Sequence, residues 1–371
     1  MMKLIHIFTL GIVTFISGSC VASRIEDSSS SCEYARYFDI VEVSDNGYTV
    51  SAVVVMSPYD NSRDTLIVNK PLDNIICMSS SQVAGLAAIG ADSVISAVSG
   101  LKYITHSNLH KRNVPDIGYE ASLDYERILS LKPDVLLTYT VSGAEPPYIS
   151  RLRSLGVRVV VLHDHLENHP LARAEYIRLY GVLTGLEDEA DSMFATICSR
   201  YDSLKVSSES PSKVKVLMNV PYGDAWYIPG GDSYMSRLIQ DAGGEVLGAV
   251  PNSATSRIIR MEEAYALSLE ADIWLNPGPC CTRDELVAYH HAFRLFGPVK
   301  DSLHIYNNTL RMTPEGGNDF WESGSVRPDL ILQDLVSIFA DSTTTRSGSY
   351  YTNVGVQRDG GNRLEYYFEV K

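Results

Sequence analysis

The chain has 371 residues, which is enough for two domains of ordinary size. It carries 31 Lys and Arg against 45 Asp and Glu, and this net charge of -14, with no basic run, argues against nucleic-acid binding. Hydrophobic residues make up 45% of the chain, a share that supports packed cores and excludes a disordered protein.

The first residues have the layout of a secretion signal. One early charge, Lys3, precedes the apolar run Leu4–Ile16 and three small residues. Neither this run nor any later stretch reaches the roughly 18 apolar residues that a membrane-spanning helix needs. Cys20 follows at once and resembles the lipobox of bacterial lipoproteins, although a serine stands where leucine is usual. We predict a signal peptide at 1–19, lipidation at Cys20 and a tether at 20–34; the alternative is a plain signal peptide.

The segment from residue 38 to residue 162 alternates between strand-like and helical patterns. Two strand-like runs, Phe38–Val43 and Tyr48–Met56, flank a Ser-Asp-Asn-Gly turn and predict a β-hairpin. Four runs that are apolar on both faces then predict buried parallel strands with helices between them. The strands are expected at Ile75–Met78, Ser93–Val98, Asp134–Tyr139 and Val157–Leu162, and the helices at Ser81–Ile89, Ser122–Leu131 and Tyr148–Leu155.

A helical segment separates this half from a second α/β half. Residues 171–206 have helical periodicity, many charges and no proline, and they predict one helix about 54 Å long at 1.5 Å per residue. Such a helix suits a stiff strut between two lobes. The α/β pattern then resumes at Val214 and ends with a helix at Arg327–Phe339.

The sequence therefore predicts an α/β fold of two Rossmann-like lobes, joined by one long interlobe helix, with a ligand cleft between the lobes. The tail either adds an edge strand at Leu364–Val370 or is loose. The boundaries that we assign are 35–168 for the N-terminal lobe, 169–206 for the interlobe helix, 213–340 for the C-terminal lobe and 341–371 for the polar, Tyr-rich tail.

Candidate binding residues gather after the predicted strands. Loops at the carboxyl ends of strands line the crevice between two α/β lobes. Aromatic and cationic side chains cluster at these ends, where scattered core aromatics would have no reason to lie. Three consecutive serines after the first strand could hold an oxyanion or simply cap a helix. The residues of interest are Ser79, Ser80, Ser81, Lys102, Tyr103, His106, His110, Tyr119, Tyr139, Tyr222, Trp226, Arg311 and Trp321.

Motifs of catalysis are absent from the sequence. There is no P-loop, zinc-protease, nucleophile-elbow or dinucleotide-binding pattern, so we predict that the protein is not an enzyme. His163, His165 and His169 are the best candidates for metal binding, but a closed zinc site needs a fourth ligand, and no metal site is assigned. Cys280 and Cys281 could bind metal or form a vicinal bridge; we expect ordinary thiols.

Several stretches resemble the class III periplasmic substrate-binding proteins of ABC importers. The most specific one runs from Asp124 to Val135 and is similar to the family's E-x-I-x-x-L-x-P-D-x-V segment. The segment around Trp321 and the layout are most similar to iron-complex-binding lipoproteins of Bacteroidetes-type bacteria. The resemblance covers roughly residues 35–340, and further similar stretches are 75–80, 114–118, 152–159, 227–231, 241–244 and 320–330.

This resemblance implies a substrate-binding lipoprotein that captures an iron complex, either a ferric siderophore or haem. The protein would deliver this metal chelate to an inner-membrane permease and its ATPase, without a cofactor of its own and as a monomer. It would be secreted across the inner membrane and be periplasmic, lipid-anchored to a membrane. The alternatives are a cobalamin or other corrinoid and a free metal ion. An enzyme of the nitrogenase-cofactor type shares the architecture, but the signal peptide argues against it.

The resemblance also assigns roles to residues by position. Lys102 or Arg311 could contact an anionic chelate, and alanine at Trp226 or Trp321 is expected to weaken binding without unfolding the protein. Permease docking would use acidic residues on both lobes, Glu145 on the first and Asp284 or Glu285 on the second. The ligand contacts would be Ser80, Tyr103, Tyr119, Tyr139, Tyr222, Trp226, Arg311 and Trp321.

Overall fold

The computed structural model of the chain describes residues 30–45, 47–207, 212–301, 304–340 and 348–354. The predicted signal peptide, the lipidation site Cys20 and the strand at Leu364–Val370 lie outside these residues. Within the described part, no helix combines the length and the apolar character that crossing a membrane requires.

An antiparallel sheet of three strands precedes the first lobe. It consists of β1 (Phe38–Asp45), β2 (Tyr48–Met56) and β3 (Arg63–Val68), in that order. The hairpin β1–β2 is confirmed, with a register from Phe38 opposite Val55 to Asp45 opposite Tyr48. The third strand was not predicted, because its sequence begins with charged residues and leaves few side chains buried.

The first lobe is built on a parallel sheet, as the apolar runs predicted. Its strand order is β5-β4-β6-β7, all neighbours pair in parallel, and most of the strand residues are buried. All four carboxyl ends therefore meet at one edge of the sheet. In chain order the elements are β4 (Ile75–Cys77), α1 (Ser80–Ala88), β5 (Ile95–Val98), α2 (Ser107–Lys111), α3 (Tyr125–Leu131), β6 (Val135–Tyr139), α4 (Pro147–Ser154) and β7 (Val159–Leu162).

The connection between the lobes differs from the prediction. A single helix of about 36 residues is wrong: the chain forms α5 (Pro170–Thr184) and α6 (Glu187–Leu204), which pack against each other. Gly185 ends α5 in the left-handed conformation, with φ +69°. Gly181 allows the close approach, since a Cβ there would lie 2.5 Å from the Ala190 Cβ. The helix α5 packs against α1 of the first lobe and against helices of the second lobe, and it serves as the interlobe helix.

The second lobe carries a separate five-stranded sheet of order β10-β8-β12-β13-β14 and a two-stranded ribbon, β9–β11. Four of the five strands are parallel, and the tail adds β14 antiparallel to β13. The elements are β8 (Val214–Met218), β9 (Trp226–Ile228), α7 (Tyr234–Asp241), β10 (Gly244–Val246), β11 (Arg257–Ile259), α8 (Met261–Ser268), β12 (Ile273–Leu275), α9 (Arg283–Tyr289), α10 (Gly297–Asp301), β13 (Ile305–Asn307), α11 (Ser323–Val326), α12 (Pro328–Ala340) and β14 (Thr352–Asn353).

One hydrophobic cluster runs from the first sheet through α5 to the second sheet. Tyr176 and Tyr180 of α5 are fully buried within it. The two lobes thus have separate sheets but share the packing of their connecting helix. Because large closure would expose this apolar surface, we expect only limited movement of one lobe relative to the other.

Candidate ligand-binding site

The strand ends of the first lobe enclose a cavity of about 230 Å³. We call it the tyrosine opening. The structure brings four of the predicted ligand residues together here: Ser80, Tyr103, Tyr119 and Tyr139. Their role as ligand contacts stays a prediction. The other lining residues are Met78, Ser79, Ser99, Gly100, Ile104, Glu120 and Tyr148.

The serines at the base of the tyrosine opening are held by a capping box. Ser79 is the N-cap of α1, which confirms one of the two interpretations of this serine run. The Gln82 Oε1 accepts hydrogen bonds from the Met78 and Ser79 backbone N–H groups, and its Nε2 donates to the Thr138 carbonyl. This buried amide therefore fixes the ends of β4 and β6 against each other.

A carboxylate that the sequence analysis missed shapes one wall of the tyrosine opening. Asp116 accepts backbone N–H groups from Gly100, Leu101 and Gly118 at 2.9–3.0 Å. This brings the loop after β5 beside the loop that carries Tyr119. Gly100 has φ +69°, and a Cβ there would lie 2.6 Å from the Tyr119 hydroxyl, so glycine is needed on both counts.

The phenol side chains form the walls and floor of the tyrosine opening. The Tyr103 and Tyr119 rings lie 6.2 Å apart, and Tyr139 contacts the edge of His165 at 5.7 Å. At the floor, the Tyr148 hydroxyl lies 2.7 Å from the Thr138 Oγ1. Burial raises the pKa of Tyr119 and Tyr139, so both phenols stay neutral at physiological pH.

A loop of the second lobe, residues 308–322, reaches the first lobe beside Tyr103. We call it the cleft loop. Its Glu322 accepts the Thr105 N–H at 2.7 Å and the His106 N–H at 2.8 Å, and its Asp319 accepts the Thr105 hydroxyl at 2.8 Å. Glu322 is 2% exposed. Burial raises its pKa to about 8, while the two N–H groups act in the opposite direction. These two carboxylates clamp the lobes together.

The clamp brings backbones into direct contact as well. A side chain at Gly317 of the cleft loop would collide with the Tyr103 carbonyl. This close approach places the loop against the backbone of Tyr103, one of the residues that line the tyrosine opening. No short motif marks the arrangement, and the sequence analysis did not predict it.

Two predicted ligand residues lie on the cleft loop, in different situations. Trp321 is 46% exposed and packs edge-on against Phe320, so its ring is accessible. The Arg311 Nη2 lies 2.9 Å from the Asp319 carboxylate, and its guanidinium stacks 4.6 Å from the Tyr350 ring. Arg311 is thus already paired within the protein.

The tail supports the cleft loop, which the sequence did not indicate. Asp334 of α12 accepts backbone N–H groups of Ser349, Tyr350 and Tyr351 at 2.7–3.2 Å. The Tyr350 hydroxyl lies 3.0 Å from the Ser323 hydroxyl, just beyond the loop. Part of the Tyr-rich tail is therefore a brace behind the ligand loop.

The prediction that Trp226 faces the cleft is wrong. Trp226 is 1% exposed and lies in the core of the second lobe, stacked with Trp274 and Phe296 at 5.9 and 6.0 Å. Its Nε1 donates to the Met218 carbonyl at 2.8 Å. The pairing of β9 with β11 turns alternate residues inward, and the neighbouring Tyr227 is the exposed one.

Tyr222 is placed differently from the other tyrosines. It is 84% exposed on the loop after β8, and it does not line the tyrosine opening. Tyr222 could therefore contact only a part of the ligand that projects out of the tyrosine opening. The residue stays a predicted contact.

A second, larger groove of about 640 Å³ is lined by residues of β7, of the β2–β3 hairpin and of the loop after β6. Its charged side chains largely neutralise one another: Arg153 pairs with Glu145 at 2.5 Å, and Arg158 pairs with Asp64 at 3.0 Å. His163 lies at one end, where burial lowers its pKa to about 4. No group of three metal-ligating side chains occurs anywhere in the described ranges.

The remaining predicted residues are the two adjacent cysteines and the acidic residues expected to dock on the permease. Cys280 and Cys281 are free thiols, as expected. Glu285 closes the capping box of α9 and accepts the Cys281 N–H at 2.6 Å, whereas Asp284 is exposed on the same turn. Glu145, Asp284 and Glu285 stay predictions as docking residues.

Comparison with known proteins gives a consistent picture. The model of the periplasmic binding protein family matches residues 75–280. The chain is 25% identical over 285 residues to an uncharacterized lipoprotein of Methanocaldococcus jannaschii, a match that covers 73% of this chain and 66% of the relative. It is 23% identical to an uncharacterized ABC transporter substrate-binding lipoprotein of Bacillus subtilis, over 62% of this chain and 69% of the relative. The chain thus spans about two thirds of the length of these relatives.

Solved structures share the fold. A periplasmic heme-binding protein from Pseudomonas aeruginosa superposes with a TM-score of 0.58 at 19% identity, covering 78% of this chain and 100% of that one. A periplasmic vitamin B12-binding protein of Vibrio cholerae gives 0.53 at 13% identity, covering 73% and 98%. Since the family match extends over more than half of the chain, this protein belongs to the periplasmic binding protein family, whose members bind solutes for transport and are not enzymes.

Proposed function

We propose that this protein is the substrate-binding lipoprotein of an ABC importer and that it captures an iron complex between its lobes. The observation that carries the proposal is the tyrosine opening, where Tyr103, Tyr119 and Tyr139 meet and where a loop of the other lobe contacts the Tyr103 backbone. Proteins of similar fold are described as binding heme, vitamin B12 or, by the name of their transport system, Fe³⁺-hydroxamate.

The chemistry of the opening suits a metal chelate. A ferric siderophore is larger than the cavity and partly flat, so part of it would project toward the cleft loop and Trp321. Ring faces supply contact area to such a ligand, and phenol and serine hydroxyls supply orientation. The clamp at Glu322 would hold both walls in place before the ligand arrives and reduce the cost of ordering them.

A corrinoid is the second candidate. A corrinoid is rimmed with amide groups. The Ser80 hydroxyl could donate to an amide carbonyl, and the Ser99 hydroxyl, which donates to the Gly118 carbonyl at 2.6 Å, could accept from an amide N–H group. A free metal ion receives no support, because the described residues hold no cluster of ligating side chains.

The remaining partners follow from the same proposal. The ligand-loaded protein would dock on the permease through Glu145 on one lobe and Asp284 or Glu285 on the other, as a monomer tethered by a lipid on Cys20. The relatives from Methanocaldococcus jannaschii and Bacillus subtilis are both named lipoproteins, which supports an extracytoplasmic, anchored location.

The proposal is tested by ligand retention. The full-length protein in detergent is incubated with a ferric trihydroxamate, haem or cyanocobalamin, desalted, and examined by visible absorbance and intact mass. We expect a one-to-one complex with at least one of them. Tyr103→Ala and Tyr119→Ala should each weaken that complex roughly tenfold, because each removes an aromatic wall.

Tyr48→Ala is the matched control, since Tyr48 is 76% exposed on the β1–β2 hairpin. It should leave the affinity unchanged. Failure to retain any of the chelates would contradict the proposed function. Equal losses of ligand affinity in all three variants would show that the tyrosine opening is not the binding site.

A further inference from the structure

We infer that the tyrosine opening selects metal complexes without net negative charge, so that neutral or cationic chelates are its ligands and anionic ones are rejected. The inference rests on the proposed function and narrows its ligand class. It follows from where the charged side chains near the opening lie and what each of them contacts.

The lining itself offers hydroxyls and one carboxylate. Among the residues that the structure describes, no Lys, Arg or His lines the opening, and Glu120 is the charged side chain that does. Behind the lining lies a second carboxylate, Asp116, which is held by three backbone N–H groups. Neutral hydroxyls can solvate an uncharged ligand by hydrogen bonding, but they cannot neutralise several negative charges.

Positively charged side chains near the opening do not supply a free cluster of positive charge. Arg311 is paired with Asp319 at 2.9 Å and stacks on Tyr350. Lys102 is exposed, and its Nζ lies 5.0 Å from the centre of the Tyr103 ring, so it adds one positive charge beside the opening. Arg127, whose Nη1 donates to the Asp116 carbonyl at 3.2 Å, is paired with Asp124 at 3.4 Å. Against the charge of Lys102 stand Glu120 in the lining and Asp116 behind it. The formal balance around the opening is therefore negative.

The histidines do not change this balance. The His106 Nε2 lies 3.1 Å from the Asp92 carboxylate, and the His110 Nε2 lies 2.7 Å from the Ile104 carbonyl. Both are turned to partners of their own and neither lines the opening. Neither histidine is therefore placed to pair with the propionates of haem or the oxygens of a catecholate.

An anionic chelate would consequently meet like charge at the site and over the whole molecule. Like-charge juxtaposition costs binding energy at close range, and the net charge of -14 slows the approach of an anion at low salt. A neutral ferric trihydroxamate or a cobalamin avoids both costs. Haem, with two propionates, and ferric tris-catecholates, with three negative charges, incur them.

The test compares charge classes on the full-length protein by titration calorimetry. The probes are a neutral ferric trihydroxamate, cyanocobalamin, haem and a ferric tris-catecholate. We expect the better of the two neutral probes to bind at least roughly 100-fold more tightly than either anionic probe. Glu120→Gln should shift the ratio of anionic to neutral affinity by about tenfold toward the anion, because it removes the carboxylate in the lining.

Glu126→Gln provides the matched control, since Glu126 is exposed on α3 of the same lobe. It should leave the ratio unchanged. Anionic probes that bind as tightly as neutral ones, or a Glu120→Gln protein with an unaltered ratio, would overturn the inference while leaving an iron-complex binding protein intact. Absence of binding for all four probes would instead overturn the proposed function itself.

Discussion

Replacing Trp226 with alanine will lower the free energy of unfolding by about 3–5 kcal/mol, the range for deleting a large aromatic side chain from a core. Trp226 is 1% exposed and lies among Trp274, Phe293 and Phe296. The substitution removes these ring contacts and also leaves the Met218 carbonyl without the indole N–H. Urea denaturation followed by circular dichroism measures the effect.

Trp321→Ala is the matched control for this experiment. The same side chain is deleted there, but Trp321 is 46% exposed, so the loss of stability should stay below about 1 kcal/mol. Trp226→Phe, which keeps an aromatic ring, should cost about 1–2 kcal/mol and remain folded. A Trp226→Ala protein of unchanged stability and weakened ligand binding would contradict the core assignment.

Replacing Glu322 with alanine will loosen the clamp between the lobes and lower the free energy of unfolding by about 2–4 kcal/mol. The change leaves the Thr105 and His106 N–H groups without their acceptor at a buried interface. Hydrogen exchange of these two amides should accelerate markedly. Ligand affinity should fall too, because Tyr103 and the cleft loop would no longer be held together.

Glu315→Ala is the control for this experiment, because it changes the cleft loop without touching the clamp. Glu315 is exposed on the same cleft loop. Its removal should leave the exchange of the Thr105 and His106 amides unchanged and should alter the free energy of unfolding by no more than about 0.5 kcal/mol. Unchanged exchange at residues 105 and 106 in Glu322→Ala would show that the two lobes are not coupled through this carboxylate.

The first-lobe sheet could be read from the sequence because its strands are short and fully buried. The runs around Ile75 and Val135 are mostly apolar, and their predicted ends lie within a residue of the observed ones. The serine cap of α1 was also accessible, since Ser79 and Gln82 form a local pair. Local patterns of this kind depend only on neighbouring residues.

The end of the interlobe helix was missed although two glycines in the sequence marked it. Gly181 and Gly185 were visible in the sequence, yet charge and periodicity on both sides suggested continuity. The helix ends at Gly185 because the left-handed conformation there directs the chain back along α5. The tight α5–α6 contact then depends on the small residue at position 181.

The parts of the site that escaped prediction depend on contacts distant in sequence. Thr105 and Glu322 are 217 residues apart, and the sequence contains nothing that pairs them. Trp226 was assigned to the cleft from its position after a strand, but its direction is decided by pairing with β11, 33 residues later at Ile259. Chain position indicates which loops meet, whereas the direction of each side chain depends on tertiary packing.

The most direct test of the account is the position of the metal in a complex. Crystals of the protein with a bound ferric trihydroxamate, measured at the iron absorption edge, would give an anomalous difference peak for the iron atom. The account predicts this peak beside the hydroxyls of Tyr103, Tyr119 and Tyr139. A peak in the groove beside His163, or on an outer surface of either lobe, would contradict it.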